Sequence, residues 1–257
     1  MYRILLITLL VVISGCSIFS KDNEDPTRNW TVERLYGEAK DALEGKSYSR
    51  AVELYEYLET RFPFGVYGQQ SLLDLAYTYY KIGDHDSSIT SCGRFIRLYP
   101  QNPHVDYAYY LRGLVNYSRK ASITDRIIRT DSSQRDTSAV YQAFQDFLDL
   151  LEKFPDSQYA EDATQRMVYL RNLLAQNEVH IAQYYLRRNA YIAAVNRARY
   201  VVNIFPRTPA VPDALIIMSR VYKILEMEDL SSDALRVLEM NYPNHPGIDE
   251  VRGIIVK

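Results

Sequence analysis

The chain has 257 residues, of which 47% are hydrophobic and 24% charged, with a formal net charge of −2. That apolar content excludes a disordered chain, and the near-neutral balance argues against a broad nucleic-acid footprint. Tyrosine is over-used, with 23 copies against 8 Phe and 1 Trp; its large apolar body and polar tip suit both half-buried repeat cores and binding surfaces.

Met1-Tyr2-Arg3 supplies one positive charge, and Ile4 to Ile13 is an apolar run broken only by Thr8. Ten residues are too short for a membrane-spanning helix but fit the hydrophobic region of a signal peptide. Ile13-Ser14-Gly15-Cys16 then resembles the lipobox of bacterial lipoproteins, with Ile13 in the usual leucine position. The resemblance implies cleavage before Cys16, acylation of its thiol and new amino terminus, and, with Ser17 rather than Asp following, sorting to the periplasmic face of the outer membrane. An ordinary signal peptide or short N-terminal anchor is the alternative. Removing residues 1–15 leaves 29 basic against 32 acidic residues. Residues 16–30 are read as the lipidated cysteine and a polar tether without helical period.

From there the chain is punctuated by five aromatic-proline pairs: Phe62-Pro63, Tyr99-Pro100, Phe154-Pro155, Phe205-Pro206 and Tyr242-Pro243. The first and last intervals are 37 residues, and the middle two are 55 and 51. A stop signal at this period points to helical-hairpin repeats. Twelve residues before each proline stand Ala51, Ser88, Ala143, Ala194 and Ser231, all small. Eight before stand Tyr55, Cys92, Phe147, Ala198 and Leu235, and five before stand Leu58, Phe95, Leu150, Val201 and Leu238. Offsets of three and four define one face of a helix, which the proline then ends. Twenty-four before the proline, Ala39, Ala76, Ala182 and Ser219 mark an earlier helix, followed three residues on by Ala42, Tyr79, Tyr185 and Tyr222. This spacing resembles the tetratricopeptide repeat. The fold expected is all-α, an α-solenoid of five such hairpins.

Two intervals are too long. The third repeat, with helices over about Val105–Arg119 and Ser138–Phe154 and Gly113 in the small slot, carries 18 extra residues, read as an inserted loop over 120–137. The fourth carries 14, absorbed by one long helix from about Gln158 to Arg187 with apolar positions at Met167, Leu170, Leu174 and Ile181. The fifth begins at Pro212-Asp213, where proline suits a helix start, and the tail Ile248 to Lys257 is expected to cap the last repeat. The division is thus 1–15 signal peptide, 16–30 tether, 31–119 for repeats one, two and the first helix of three, 120–137 inserted loop, and 138–257 for the remainder.

No catalytic constellation is legible. His85, His104, His180 and His245 are scattered without metal-ligand spacing, no Gly-rich phosphate loop occurs, and Cys92 falls on a core face, where a structural thiol is the plainer reading. No enzyme activity, cofactor or metal is expected. What remains is surface. First-helix positions Tyr36, Lys40, Leu73, Tyr77, Tyr80, Tyr107, Tyr110 and Tyr117 would line the inner face of repeats one to three, six of them tyrosines. Such a groove suits an extended peptide with aromatic side chains; the alternative is that half of these tyrosines only pack between helices.

Arg61-Phe62-Pro63-Phe64-Gly65, Gln69-Gln70, Leu73-Asp74-Leu75, Tyr79-Tyr80-Lys81, Arg94-Phe95-Ile96-Arg97-Leu98, Asn102-Pro103, Val105-Asp106-Tyr107 and Leu111-Arg112-Gly113-Leu114 together resemble the BamD family, the lipoprotein subunits of the outer-membrane β-barrel assembly machine. Asp156-Ser157-Gln158-Tyr159, Ala182 through Tyr185 and Ala194-Val195-Asn196-Arg197 extend the match, which weakens after about Leu225. The resemblance implies a scaffold whose N-terminal repeats receive unfolded outer-membrane proteins by their C-terminal targeting sequences. It implies that the C-terminal repeats dock on the periplasmic POTRA domains of the barrel subunit, with Arg197 at a position used toward that partner. Asp131, Arg135 and Asp136 match the family's acidic-basic loop motif, directed at the barrel subunit or companion lipoproteins of the complex. The alternative function is another periplasmic tetratricopeptide lipoprotein adaptor, at the cell wall or in division, which would lack the Arg-Phe-Pro-Phe-Gly stretch and the loop motif.

Overall fold

The computed structural model describes residues 26–119 and 137–253. Cys16, Asp131, Arg135 and Asp136 lie outside them. The described residues form eleven helices in chain order: α1 Val32–Glu44, α2 Tyr48–Arg61, α3 Gly65–Ile82, α4 His85–Leu98, α5 Val105–Arg119, α6 Ser138–Lys153, α7 Ala160–Arg187, α8 Tyr191–Ile204, α9 Val211–Ile224, α10 Glu228–Asn241 and α11 Gly247–Arg252. Each of the first ten packs on the next in sequence, and the first helices of neighbouring repeats also touch, α1 on α3, α3 on α5 and α7 on α9. This is the expected α-solenoid of five hairpins.

The punctuation works at atomic level. In all five repeats the aromatic before the proline is the residue that ends the second helix, with φ between −116° and −137° and ψ between 51° and 63°. The following ring pushes it out of the helical region. Its N–H still donates to the carbonyl four residues back, on Leu58, Phe95, Leu150, Val201 and Leu238, so the last helical bond survives the break. At the other end of the second helix, the turn residues Lys46, Asn189 and Glu226 have φ of 60°, 57° and 58°, and Gly83 has 81°. All four stand seventeen residues before their proline. The turn is therefore one conserved left-handed geometry, which only repeat two fills with the residue that adopts it without strain.

Of the fifteen second-helix positions named from the prolines, fourteen are buried and only Leu235 is half-exposed, its place taken by Ala234. The small slots let backbones approach. Ser88 Oγ donates to the Ala76 carbonyl at 2.8 Å, and in repeat five Ser219 and Ser231 each donate to the other's carbonyl at 2.9 Å. Gly113 is the extreme case. A Cβ there would lie 2.6 Å from Phe147 Cε1, so the third repeat is closed by an aromatic ring seated on a bare backbone.

The long helix is α7, 28 residues and about 42 Å at the α-helical rise. It packs on α6, α8 and α9. One apolar cluster runs from Leu72 and Phe95 in repeat two, through Leu170 and Val179 on α7, to Ala214 and Val221 in repeat five. The strut is thus sealed into both halves of the solenoid. α11 buries Ile248 and Val251, with Ile248 clustered beside Leu215 and Leu238, so the described part of the expected cap, 248–253, covers the last repeat. Among the described residues no helix is long and apolar enough to cross a membrane.

Candidate functional site

The six tyrosines expected to line a groove all come from first helices, Tyr36 on α1, Tyr77 and Tyr80 on α3, and Tyr107, Tyr110 and Tyr117 on α5. None is fully buried and none fully exposed: each ring packs along one edge and shows the other. Leu73, expected beside them, is buried at 3% exposure, because α3 turns that position toward α5 and the central core.

The tyrosines gather in three groups. In the first, Asp74 is a hub. Its Oδ2 accepts from Tyr36 Oη at 3.0 Å and from Tyr55 Oη at 3.3 Å, its Oδ1 accepts from Gln70 Nε2 at 3.0 Å, and Lys40 Nζ stands 3.6 Å away. Burial, and then the Asp74 charge, push the Tyr36 and Tyr55 hydroxyls above the ordinary tyrosine range. Both rings therefore stay neutral donors locked on the carboxylate. The Tyr36 ring also meets that of Tyr67, centroids 5.3 Å apart.

The second group is Tyr77, Tyr80 and Tyr107, packed over Ala76, Cys92, Leu111 and Val115. Tyr77 and Tyr80 have centroids 6.5 Å apart, and Lys81 Nζ sits 5.8 Å from the Tyr77 ring. Cys92 is fully buried beneath them, and burial pushes its thiol up to about 12, which makes it an inert packing residue.

The third group centres on Tyr110. Its ring stacks on Tyr159 at 4.6 Å and 15°, and its hydroxyl donates to Asp162 Oδ2 at 2.7 Å. Burial first, then the bond to Asp162, push the Tyr110 hydroxyl up to about 12. Arg166 Nε donates to the same Asp162 oxygen at 2.6 Å and holds that carboxyl below the ordinary aspartate range. The Arg166 guanidinium lies 5.0 Å from the Tyr117 ring, which meets Tyr169 edge-on at 6.1 Å. Tyr107 also reaches Tyr159, at 5.5 Å.

The sequence reading missed Tyr67, Asp74, Tyr159, Asp162, Arg166 and Tyr169. Asp74 had a signal: a lone carboxylate inside Leu72-Leu73-Asp74-Leu75-Ala76 needs partners if that stretch is buried. The residues of α7 had none, since only the packing of α6 brings the start of that helix beside α5.

Arg197 is on α8, with Nη1 donating to Glu178 Oε2 of α7 at 3.1 Å. A cleft of about 470 Å³ opens between α7, α9 and α11, lined by Arg187, Asp213, Ile216, Arg220, His245 and Glu250, without Arg197. Among the described residues no group of three or more His, Cys, Asp or Glu side chains is placed to hold a metal ion.

Helical hairpins stacked on a shared core, with half-exposed tyrosines along their first helices, define a tetratricopeptide-like α-solenoid. The family described as YfiO, outer membrane lipoprotein, matches residues 28–238. The chain is 44% identical over 249 residues to the outer membrane protein assembly factor BamD of Neisseria meningitidis serogroup B, covering 96% of this chain and 93% of that protein. It is 37% identical to BamD of Xylella fastidiosa, covering 94% and 82%, and 35% identical to BamD of Vibrio cholerae, covering 90% and 95%. The chain belongs to the BamD family of outer-membrane lipoproteins. Among solved structures it is similar to the type IV pilus biogenesis factor PilW, at 12% identity and a TM-score of 0.35, covering 87% of this chain and 99% of that one. It is also similar to the tetratricopeptide domain of P58(IPK), at 14% identity and a TM-score of 0.30, covering 86% and 63%.

Proposed function

We propose that this chain is a non-catalytic scaffold in outer-membrane protein assembly, held on the periplasmic face of the outer membrane by lipid on Cys16. Its N-terminal repeats receive unfolded β-barrel proteins, and its C-terminal repeats dock on the POTRA domains of the barrel subunit. The observation that carries the substrate reading is the run of half-buried tyrosines on α1, α3 and α5. Tyr36 is held by Asp74 and Tyr110 by Asp162, and the others pack against neighbouring rings and the core, so their free edges form a preorganised apolar surface with hydroxyls along it. Such a surface takes an extended, aromatic-rich segment at low ordering cost.

The test is binding of a peptide copied from the C-terminus of an outer-membrane barrel protein. Tyr77→Ala with Tyr110→Ala should weaken it on the order of tenfold or more, about 1.4 kcal/mol, in protein whose unfolding transition stays cooperative. Unchanged affinity in folded protein removes the groove. For docking, Arg197→Glu should abolish co-purification with the barrel subunit. Because that change also repels Glu178, the swap Arg197→Glu/Glu178→Arg separates the two roles. It restores the local ion pair, and recovery of co-purification by the swap would mean that Arg197 only braces α8 on α7. Asp131, Arg135 and Asp136 are assigned to the same partner or a companion lipoprotein, and their alanine variants should loosen the complex without altering peptide binding.

A further inference from the structure

The turn between α2 and α3 is held on three sides. Arg61 donates through Nη1 to the Thr27 carbonyl at 2.7 Å and through Nη2 to Thr27 Oγ1. Tyr99 Oη donates to the Pro63 carbonyl at 3.1 Å. Gly68 lies so close that a Cβ there would stand 2.6 Å from the Phe62 carbonyl oxygen, and Gly65, at φ 84°, makes the corner. Yet the two side chains at the tip are bare: Phe64 is 84% exposed and Val66 81%. A fixed backbone that displays two uncovered apolar side chains is an anchor for a contact made elsewhere.

The position of the turn says what that contact is. Arg61 ties the tip to Thr27, which stands eleven positions after Cys16, at most about 40 Å of chain. The tip is therefore kept within reach of whatever surface holds the lipid. Its surroundings match a bilayer interface. Trp30, the single tryptophan, lies under the Arg34 guanidinium at 4.4 Å, and Arg61 covers the Tyr57 ring at 5.1 Å. Arg28, Arg34 and Arg61 stand at this end of the first hairpin, with Glu33 beside Arg34 in the chain. Arginines with tryptophan and phenylalanine are the composition of interfacial anchors on anionic lipid. The neighbouring Tyr67, by contrast, turns to Tyr36 and belongs to the groove.

We propose that Phe64 and Val66 form a second, non-covalent membrane contact that sets the N-terminal repeats against the lipid surface. This rests on the lipid-anchor reading of Cys16. The test uses the mature lipoprotein, reconstituted into phosphatidylethanolamine and phosphatidylglycerol vesicles. With the Cys16 thiol acylated and Cys92 buried, Phe64→Cys takes an environment-sensitive fluorophore alone, and Met240→Cys, 76% exposed on α10, is the control. On vesicles the label at 64 should shift to the blue and be quenched by nitroxide-labelled lipid, and the label at 240 should do neither. Flotation of the protein with equal, unquenched emission at both sites overturns the proposal. So does a blue shift at 64 without lipid quenching, which would place the tip against protein. Failure to float removes the lipid anchor itself, and this contact falls with it.

Discussion

Gly113→Ala tests the reasoning that builds the third repeat. The added methyl would meet Phe147 Cε1 at 2.6 Å, Cδ1 at 2.8 Å and Cζ at 3.0 Å. Ordinary carbon contacts lie near 3.5–4.0 Å, so the ring must retreat by about 1 Å. Phe147 is fully buried, and overpacking of this kind costs about 1–3 kcal/mol. Against it stands the helix-propensity gain of Gly→Ala, about 0.5–1 kcal/mol. The net expectation is a loss of about 1–2 kcal/mol, or several degrees in Tm for a chain of this size. The control is Gly93→Ala on α4, where a Cβ meets nothing within 4 Å; propensity acts alone there and the variant should gain stability. Denaturant unfolding followed by far-ultraviolet circular dichroism reads both. Phe147→Leu should relieve Gly113→Ala, so that the double variant loses less than the two single losses combined. The ring also meets Tyr110, at 6.2 Å, so Gly113→Ala should weaken peptide binding as well. If Gly113→Ala and Gly93→Ala move the midpoint in the same direction, the close approach of α5 and α6 is wrong.

Gly68→Ala should cost more than Gly113→Ala, because its Cβ meets the Phe62 and Pro63 backbone at 2.6–2.8 Å rather than a ring that can tilt; midpoints of the two variants compare them directly. Arg166→Met should destabilise at neutral pH and not in acid. Arg166 holds the Asp162 carboxyl below its ordinary value, so that pairing contributes above the unfolded aspartate value near pH 4 and is lost as pH falls through the lower folded value. Unfolding midpoints of both proteins should converge as the pH falls below the ordinary aspartate range, and a constant gap across pH would contradict the pairing. The Cys92 thiol should resist alkylation in folded protein at pH 8 and react once denaturant unfolds the chain. Rapid labelling under native conditions would show that the Tyr77–Tyr107 layer does not cover it.

How much of this was legible in the chain follows from the range of the interactions. The repeat frame is local. An aromatic before a proline is expelled from the helical region by its own neighbour, and small residues at fixed offsets mark where helices cross, so the hairpins and the long helix could be read by counting. Leu235 shows the limit of counting: it stands half-exposed, and Ala234 takes the core position instead. The tyrosine surface was legible as a set of first-helix residues, but its internal organisation was not. Tyr36, Tyr55 and Asp74 are joined by bonds across 38 and 19 residues, and Tyr110 and Asp162 across 52. The sequence by itself determined the periodic skeleton, because backbone sterics and helical period act within a few residues. Only the tertiary structure decided which carboxylate each tyrosine serves, and that the Phe64–Val66 tip stands bare, because those outcomes depend on where whole helices come to rest.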